Sequence, residues 1–275
     1  MQDGQIIKVH TKEYVVDTGS NLVTARIRGI FRFLDEKPLV GDYVTIDEHN
    51  TIVKIHKRKN QIDRPSVANI DYAFIVMSIT DPDFDFYLLD KLISQMEMNA
   101  IKPAIVVTKT DIERVSLVKK LFKDLTYYED LGYPVFEGDS LNEIKTFLKG
   151  KTVVLAGQTG AGKSTLINRL APHHNLKTGE TSKKLGRGRH TTRHAEILEV
   201  YDGHLVDTPG FSSLNFHNIK EEDIRNSFIE FKDFNCKYKD CSHINTDGCE
   251  VIKNLNNKML KSRYENYQKI LKESK

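Results

Sequence analysis

The first sixty residues alternate short β-favouring runs with polar turns. Residues 5–9, 14–16, 21–27, 42–46 and 51–55 have strand length and composition, with Gly, Asp and Asn between them. Five such strands suit a small closed barrel such as an OB-fold. The pattern then changes. Residues 73–78, Ala-Phe-Ile-Val-Met-Ser, read as a buried strand, and Phe84, Leu88, Leu92 and Met96 recur every four residues, which predicts an amphipathic helix over 84–98. An apolar run at 104–107, a helical pattern over 112–125, a short strand at 134–136 and a further buried-strand pattern at 151–156, whose last four residues are apolar, continue the alternation of an α/β domain. The changes of pattern predict three domains: a barrel over 1–62, an α/β domain over 63–215, and a C-terminal domain over 216–275.

Residues 157–165 read Gly-Gln-Thr-Gly-Ala-Gly-Lys-Ser-Thr, between the apolar run and a helical stretch at 164–170. Strand, glycine-rich loop and helix in that order are the setting of a phosphate-binding loop. Backbone N–H groups of Gly157, Gln158, Thr159, Gly160, Ala161 and Gly162 would turn toward phosphate oxygens, and the helix start adds its dipole. Lys163 would reach the β- and γ-phosphates, and Ser164 would place its hydroxyl on Mg²⁺, with Thr165 beside it.

Thr108-Lys109-Thr110-Asp111 follows an apolar strand and resembles the guanine-reading [N/T]-K-x-D loop of GTPases. The Asp111 carboxylate can accept from both N1–H and the exocyclic amine of guanine, a pair of donors that adenine lacks. Thr108 stands where Asn is usual; its hydroxyl still offers a hydrogen bond. Asp207-Thr208-Pro209-Gly210 fits the D-x-x-G element, in which Asp207 holds Mg²⁺ through water and the Gly210 amide meets the γ-phosphate. Between phosphate loop and D-x-x-G, residues 186–193 occupy the place of a first switch loop, where Thr191 or Thr192 would close on Mg²⁺. In Ras-like GTPases the guanine loop comes last; here it precedes the phosphate loop. The chain is read as circularly permuted, with the second switch leading directly into the C-terminal segment.

That segment holds all three cysteines as Cys236-x4-Cys241-x-His243-x5-Cys249, the ligand count and types of a structural zinc site. Composition adds less. At 275 residues, 39% hydrophobic and 29% charged, the chain has the make-up of a globular protein, and a net charge of +3 decides nothing. The distribution of charge says more. Arg26, Arg28, Arg32, Lys54, Lys57, Arg58 and Lys59 collect on the barrel, and residues 183–193 hold five basic side chains and no acid. Residues 253–275 hold seven Lys and Arg against two Glu, with Tyr264 and Tyr267 interleaved. Three basic regions favour a polyanionic partner such as RNA. No apolar run approaches membrane-spanning length and residues 1–7 lack the features of a targeting segment, so no membrane partner is expected. Nothing in the pattern demands a dimer, and a monomer is expected.

Barrel, Thr108–Asp111, phosphate loop, Gly-Arg-Gly-Arg-His-Thr-Thr-Arg, Asp207-Thr-Pro-Gly and then the Cys-His cluster follow one another in an order that resembles the RsgA (YjeQ/YloQ) family of small-ribosomal-subunit biogenesis GTPases. The resemblance covers essentially the whole chain. It implies an OB-fold, a circularly permuted P-loop GTPase domain and a mainly helical, zinc-binding C-terminal domain. It further implies a bacterial cytoplasmic enzyme that binds the small ribosomal subunit and its rRNA late in maturation. There the enzyme would hydrolyse GTP to GDP. The chain departs from the usual pattern at Thr108 and at residues 137–140, Glu-Gly-Asp-Ser, which lack Ser-Ala-Lys.

Phe211 follows Asp207-Thr-Pro-Gly, where Ras-like enzymes carry a water-orienting Gln. An apolar side chain cannot orient water, so slow intrinsic turnover is expected, with a partner supplying the missing element. Such an element is worth roughly 10³–10⁵ in rate. The resemblance makes His190 the replacement. Two other readings are weighed: an RNA-binding assembly factor whose nucleotide is mainly structural, and a kinase using the same loop. The kinase leaves Asp111, the cysteines and the basic regions without a role.

Overall fold

The computed structural model describes residues 1–10, 13–29, 37–63, 66–174, 196–207 and 216–275; of Asp63, His174 and Asp207 only the backbone is described. The predicted barrel is present. Strands β1 (Gln2–His10), β2 (Glu13–Asp17), β3 (Leu22–Ile27), β4 (Tyr43–Ile46) and β5 (Thr51–Ile55) pair in the order β1-β2-β3-β5-β4, and β4 returns to β1 to close the ring. The β3–β5 pair is parallel and the others antiparallel. Alternate residues point inward, so Ile6, Tyr14, Val16, Ala25, Val44, Ile46 and Ile52 fill the interior. This is the five-strand OB-like barrel.

Not all of the barrel's basic residues face solvent unpaired. Arg58 grips the fully buried Asp42 with Nε and Nη2, at 2.8 Å each, and Asp42 also accepts the Leu39 N–H at 2.8 Å. Removing one partner would leave a buried charge uncompensated, so Arg58 is a structural clamp. Arg26 pairs with Glu13 at 2.9 Å and Lys59 with Asp71 at 2.5 Å. Arg28, Lys54 and Lys57 stand exposed, and Arg32 lies outside the described residues.

The described chain forms two compact units. The first contains residues 1–74, 140–156 and the described part of 162–211. Beyond the barrel it holds a short hairpin, β6 (Gln61–Asp63) with β7 (Ser66–Ala68), helix α3 (Leu141–Leu148), and the strands β11 (Thr152–Ala156), β12 (Glu196–Val200) and β13 (Gly203–Asp207). Strand β11 runs parallel to β13, with Val154 opposite Val206, and β13 pairs antiparallel with β12. The outer edge of β12 meets β1 of the barrel at Lys8 and Glu196, whose side chains join at 2.7 Å. Sheet and barrel thus share one hydrogen-bonded edge, a pairing that local sequence pattern does not announce.

The second unit contains residues 75–139, 157–161 and the described part of 212–275. Most of β8 (Tyr72–Ser78) lies in it, with β9 (Lys102–Thr108) and β10 (Val135–Glu137), in the order β10-β9-β8. Helix α1 (Phe86–Met98) starts two residues later than its apolar spacing suggests, because the Asp85 carboxylate accepts the Tyr87 N–H at 2.8 Å and caps it. Helix α2 (Val115–Asp130) likewise starts later than predicted, leaving Ile112 on an exposed turn.

In the C-terminal region α5 (Glu221–Ser227), α6 (Glu250–Lys253) and α7 (Lys261–Glu273) surround a core of Phe216, Ile224, Phe228, Phe231, Val251 and Met259, with Tyr264, Tyr267, Ile270 and Leu271 of α7. Tyr264 and Tyr267 therefore belong to the interior, not to a basic surface. Arg263 is buried too, at 1% exposure. It donates to Asp90 of α1 and to Glu230, both at 2.5 Å, while Tyr128 and Asn266 donate to Asp90 at 2.9 and 2.7 Å. Burial pushes the Asp90 carboxyl up from its ordinary value, against the pull of Arg263. Ser94 and Ser227 share a buried hydrogen bond of 2.6 Å further along α1. A fully satisfied polar network thus fastens the C-terminal region to α1.

Candidate nucleotide site and metal cluster

The phosphate-loop segment begins where β11 ends. Gly157 has φ 134°, and a Cβ there would lie 2.2 Å from the Val76 carbonyl oxygen, so the close approach admits only glycine. The Ala161 N–H donates to the Gln158 carbonyl at 3.3 Å, a tight turn whose tip, Thr159 and Gly160, is exposed. Gly162, at φ 87°, is the left-handed residue that opens helix α4 (Lys163–Leu170). Leu166, Ile167 and Leu170 bury the inner face of α4, leaving its first turn, Lys163 to Thr165, on the rim. Burial holds the Lys163 ammonium down to about 8, below the ordinary lysine range; a phosphate beside it would reverse that shift. Parallel pairing of β11 with β13 brings the backbone of Asp207 to the same end of the sheet as Ala156. Ligands of open α/β sheets sit at such carboxyl ends.

The guanine-type motif Thr108–Asp111 is held in the same unit as residues 157–161. Lys109 adopts φ 60°, a left-handed turn that starts the short helical turn Thr110–Ile112, with Asp111 exposed on it. The Lys109 ammonium donates to the Asp81 carbonyl. Thr108 is 8% exposed and donates its hydroxyl proton to the Ala161 carbonyl at 2.6 Å, with the Met77 carbonyl more distant at 3.4 Å. Two motifs half a domain apart in sequence are therefore bonded together. Sequence pattern singled out no residue in 137–140, yet Gly138 takes part: its N–H donates to Val107 at 2.7 Å, and a Cβ there would press on the Thr108 methyl at 3.0 Å. A glycine just past a strand end was the available signal. His190, Thr191, Thr192 and Gly210 lie outside the described residues, as does the Asp207 side chain.

Cys236, Cys241, His243 and Cys249 converge, with their ligand atoms all within 4.8 Å of one another. Cys236 Sγ lies 4.0 Å from Cys249 Sγ and 3.6 Å from His243 Nδ1; Cys249 Sγ lies 3.5 Å from that nitrogen. Tetrahedral zinc with bonds of about 2.0–2.3 Å separates its ligands by roughly 3.5–3.8 Å, so the donor set fits such an ion. Burial and the nearby Arg225 keep His243 neutral, its pKa lowered to about 4, and a neutral imidazole is the ligating form. The loop is braced from α7: Tyr264 donates to the His243 carbonyl at 2.6 Å and Tyr267 to the Ser242 carbonyl at 2.7 Å. The chain thus has a potential Cys₃His metal site.

A phosphate loop at a strand end, a guanine-type loop bonded to it, and the reversed order of the two along the chain define a circularly permuted P-loop GTPase, a GTP-hydrolysing enzyme. The model of the RsgA GTPase domain matches residues 55–217, and that of the RsgA N-terminal domain matches residues 3–52. The chain belongs to the RsgA family. Proteins named small ribosomal subunit biogenesis GTPase RsgA are 42% identical in Lactococcus lactis (99% of this chain, 94% of the relative) and 39% identical in Shouchella clausii (99% and 97%). Among solved structures, YjeQ from Thermotoga maritima superposes with a TM-score of 0.85 at 31% identity, covering 99% of this chain and 98% of its own. YloQ, described as a circularly permuted GTPase, gives 0.84 at 32% identity, covering 99% and 94%. Among the described residues no helix is long and apolar enough to cross a membrane.

Proposed function

We propose that this protein binds the small ribosomal subunit through its rRNA, hydrolyses GTP there under stimulation by the subunit, and leaves as GDP forms. The relatives' shared name supports the partner, and the Thr108–Ala161 bond, which joins a guanine-type loop to a phosphate loop, carries the nucleotide assignment. Gly157 to Gly162 would cradle the phosphates, Lys163 would neutralise charge on the β- and γ-phosphates, and Ser164 and Asp207 would hold Mg²⁺. Mg²⁺ supplies Lewis-acid charge neutralisation when bound. His190 would orient water, Thr191 or Thr192 would close the first switch, and Gly210 would sense the γ-phosphate. The exposed Arg28, Lys54 and Lys57 would meet RNA phosphates. Residues 1–62, 63–215 and 216–275 would be the barrel, GTPase and zinc domains of a cytoplasmic monomer.

Asp111 gives the test of guanine recognition. Asp111→Asn exchanges a double acceptor for a group that can donate to the C2 carbonyl of xanthine. Affinity for GTP should fall by at least about 10²-fold while XTP gains a similar factor. Titration of both nucleotides checks this; unchanged GTP preference would remove Asp111 from base recognition.

Zinc at Cys236, Cys241, His243 and Cys249 would stabilise the loop between α5 and α6. Elemental analysis should find one zinc per chain, and chelation should lower the melting temperature and reduce the helical signal of the C-terminal region. A metal-free protein with unaltered melting would contradict a structural zinc.

A further inference from the structure

We propose that Thr108 is a positioning residue that holds the phosphate loop in register with the base-reading loop, and that it donates no hydrogen bond to the base. This rests on the guanine-nucleotide reading above and gives one of its residues a different role. The geometry is specific. The Thr108 hydroxyl carries one proton, and its partner at 2.6 Å is the carbonyl of Ala161, the last residue before the Gly162 turn. The bond is buried, so water does not compete for it. The residue is fixed on two counts. A Cβ at Gly138 would meet the Thr108 methyl at 3.0 Å, so that side of the side chain is closed to anything larger than glycine, and the Thr108 backbone is tied by its carbonyl accepting the Ile79 N–H at 3.1 Å.

Guanine offers acceptors, N7 and O6, along the edge away from its Watson–Crick donors. A residue whose only proton is already donated to Ala161 has nothing to give them. An asparagine in that position has two N–H donors and can serve a carbonyl and a base together. Threonine serves the carbonyl alone. Base selection then falls to Asp111 and the backbone, while Thr108 sets the distance between base loop and phosphate loop. Its loss should weaken every nucleotide that has both a base and phosphates, whatever the atom at the purine 7-position.

The test compares the full-length protein with Thr108→Val, which keeps the shape and removes the hydroxyl, and Thr108→Ser, which keeps the hydroxyl. Affinities are measured for GDP and for 7-deaza-GDP, in which C–H replaces N7. Wild type and Thr108→Ser should bind the two nucleotides within about threefold of each other. Thr108→Val should lose roughly tenfold or more on both, because the Ala161 carbonyl is left buried without a donor. A loss of tenfold or more by wild type on 7-deaza-GDP that Thr108→Val no longer shows would mean that the Thr108 side chain reads N7, and would overturn the proposal. Undiminished GDP binding by Thr108→Val, or a Thr108→Ser protein as weak as Thr108→Val, would show that the hydroxyl is not the strap; either result overturns the proposal. Failure of the wild-type chain to bind GDP at all would sink the guanine-nucleotide reading itself, and this assignment with it.

Discussion

Lys163→Ala should reduce GTP hydrolysis by at least about 10²–10³-fold, the usual loss when a preorganised charge or donor is removed from a developing anion. Lys163 sits half-buried in the first turn of α4, directly after the left-handed Gly162, so loop geometry fixes where its ammonium emerges. Burial lowers its pKa to about 8, and a triphosphate beside it would favour the charged form. A pH dependence follows. Below about pH 8 the lysine is charged before nucleotide arrives; above it, binding must also take up a proton. Affinity for GDP should therefore fall as pH rises from 7 to 9, and the Lys163→Ala protein should lack that lysine-linked fall. A variant that keeps wild-type turnover would take Lys163 out of the reaction.

Arg263→Ala should be the most destabilising single change in the second unit. It would leave Asp90 and Glu230, 0% and 3% exposed, without the guanidinium that both contact at 2.5 Å. Breaking a buried pair in this way costs about 3–5 kcal/mol, equivalent to a fall in melting temperature of roughly 10 °C. The sign with pH is informative. In the variant, burial would hold the Asp90 carboxyl above its ordinary value with no guanidinium to oppose it. The penalty of keeping that carboxylate charged is then largest at neutral pH and shrinks as acid protonates it. The gap in melting temperature from wild type should narrow between pH 7 and pH 5. Asp90→Asn should cost less, since Arg263 keeps Glu230. A melting point within about 2 °C of wild type for Arg263→Ala would mean that the network does not hold the C-terminal region to α1.

The contrast between these two residues shows what the sequence made legible. Lys163 belongs to a nonapeptide whose chemistry is local: glycines that permit the turn, then a lysine and a hydroxyl at fixed offsets. The barrel strands were legible for a similar reason, since alternation and turn residues are short-range signals. Arg263 could not be read that way. Its partner Asp90 is 173 residues away and lies on the buried face of α1, among Leu89, Leu92, Ile93, Ser94 and Met96. Its basic neighbours make it look like part of a solvated tail. Tyr264 and Tyr267 misled in the same manner, because a tyrosine over a metal loop and one over an RNA base have the same sequence. Arg58 on the barrel is a further case; it looked free until the fold brought it to Asp42. The Cys-His cluster was legible because four ligands within fourteen residues leave few other roles.

Thr108 lay between these cases. The motif identified it, but whether its hydroxyl faced base or backbone depended on the approach of Ala161, 53 residues on. Local pattern singled out the two loops. Long-range packing sets what the Thr108 hydroxyl touches.

The most direct test of the central claim is GTP turnover by the purified protein, alone and with isolated small ribosomal subunits, with ATP in parallel and Lys163→Ala as the blank. Slow GTP hydrolysis that the subunit accelerates tens-fold or more, with ATP left untouched, is the expected result. Turnover indifferent to the subunit, or equal use of ATP, would contradict a GTPase timed by the ribosome.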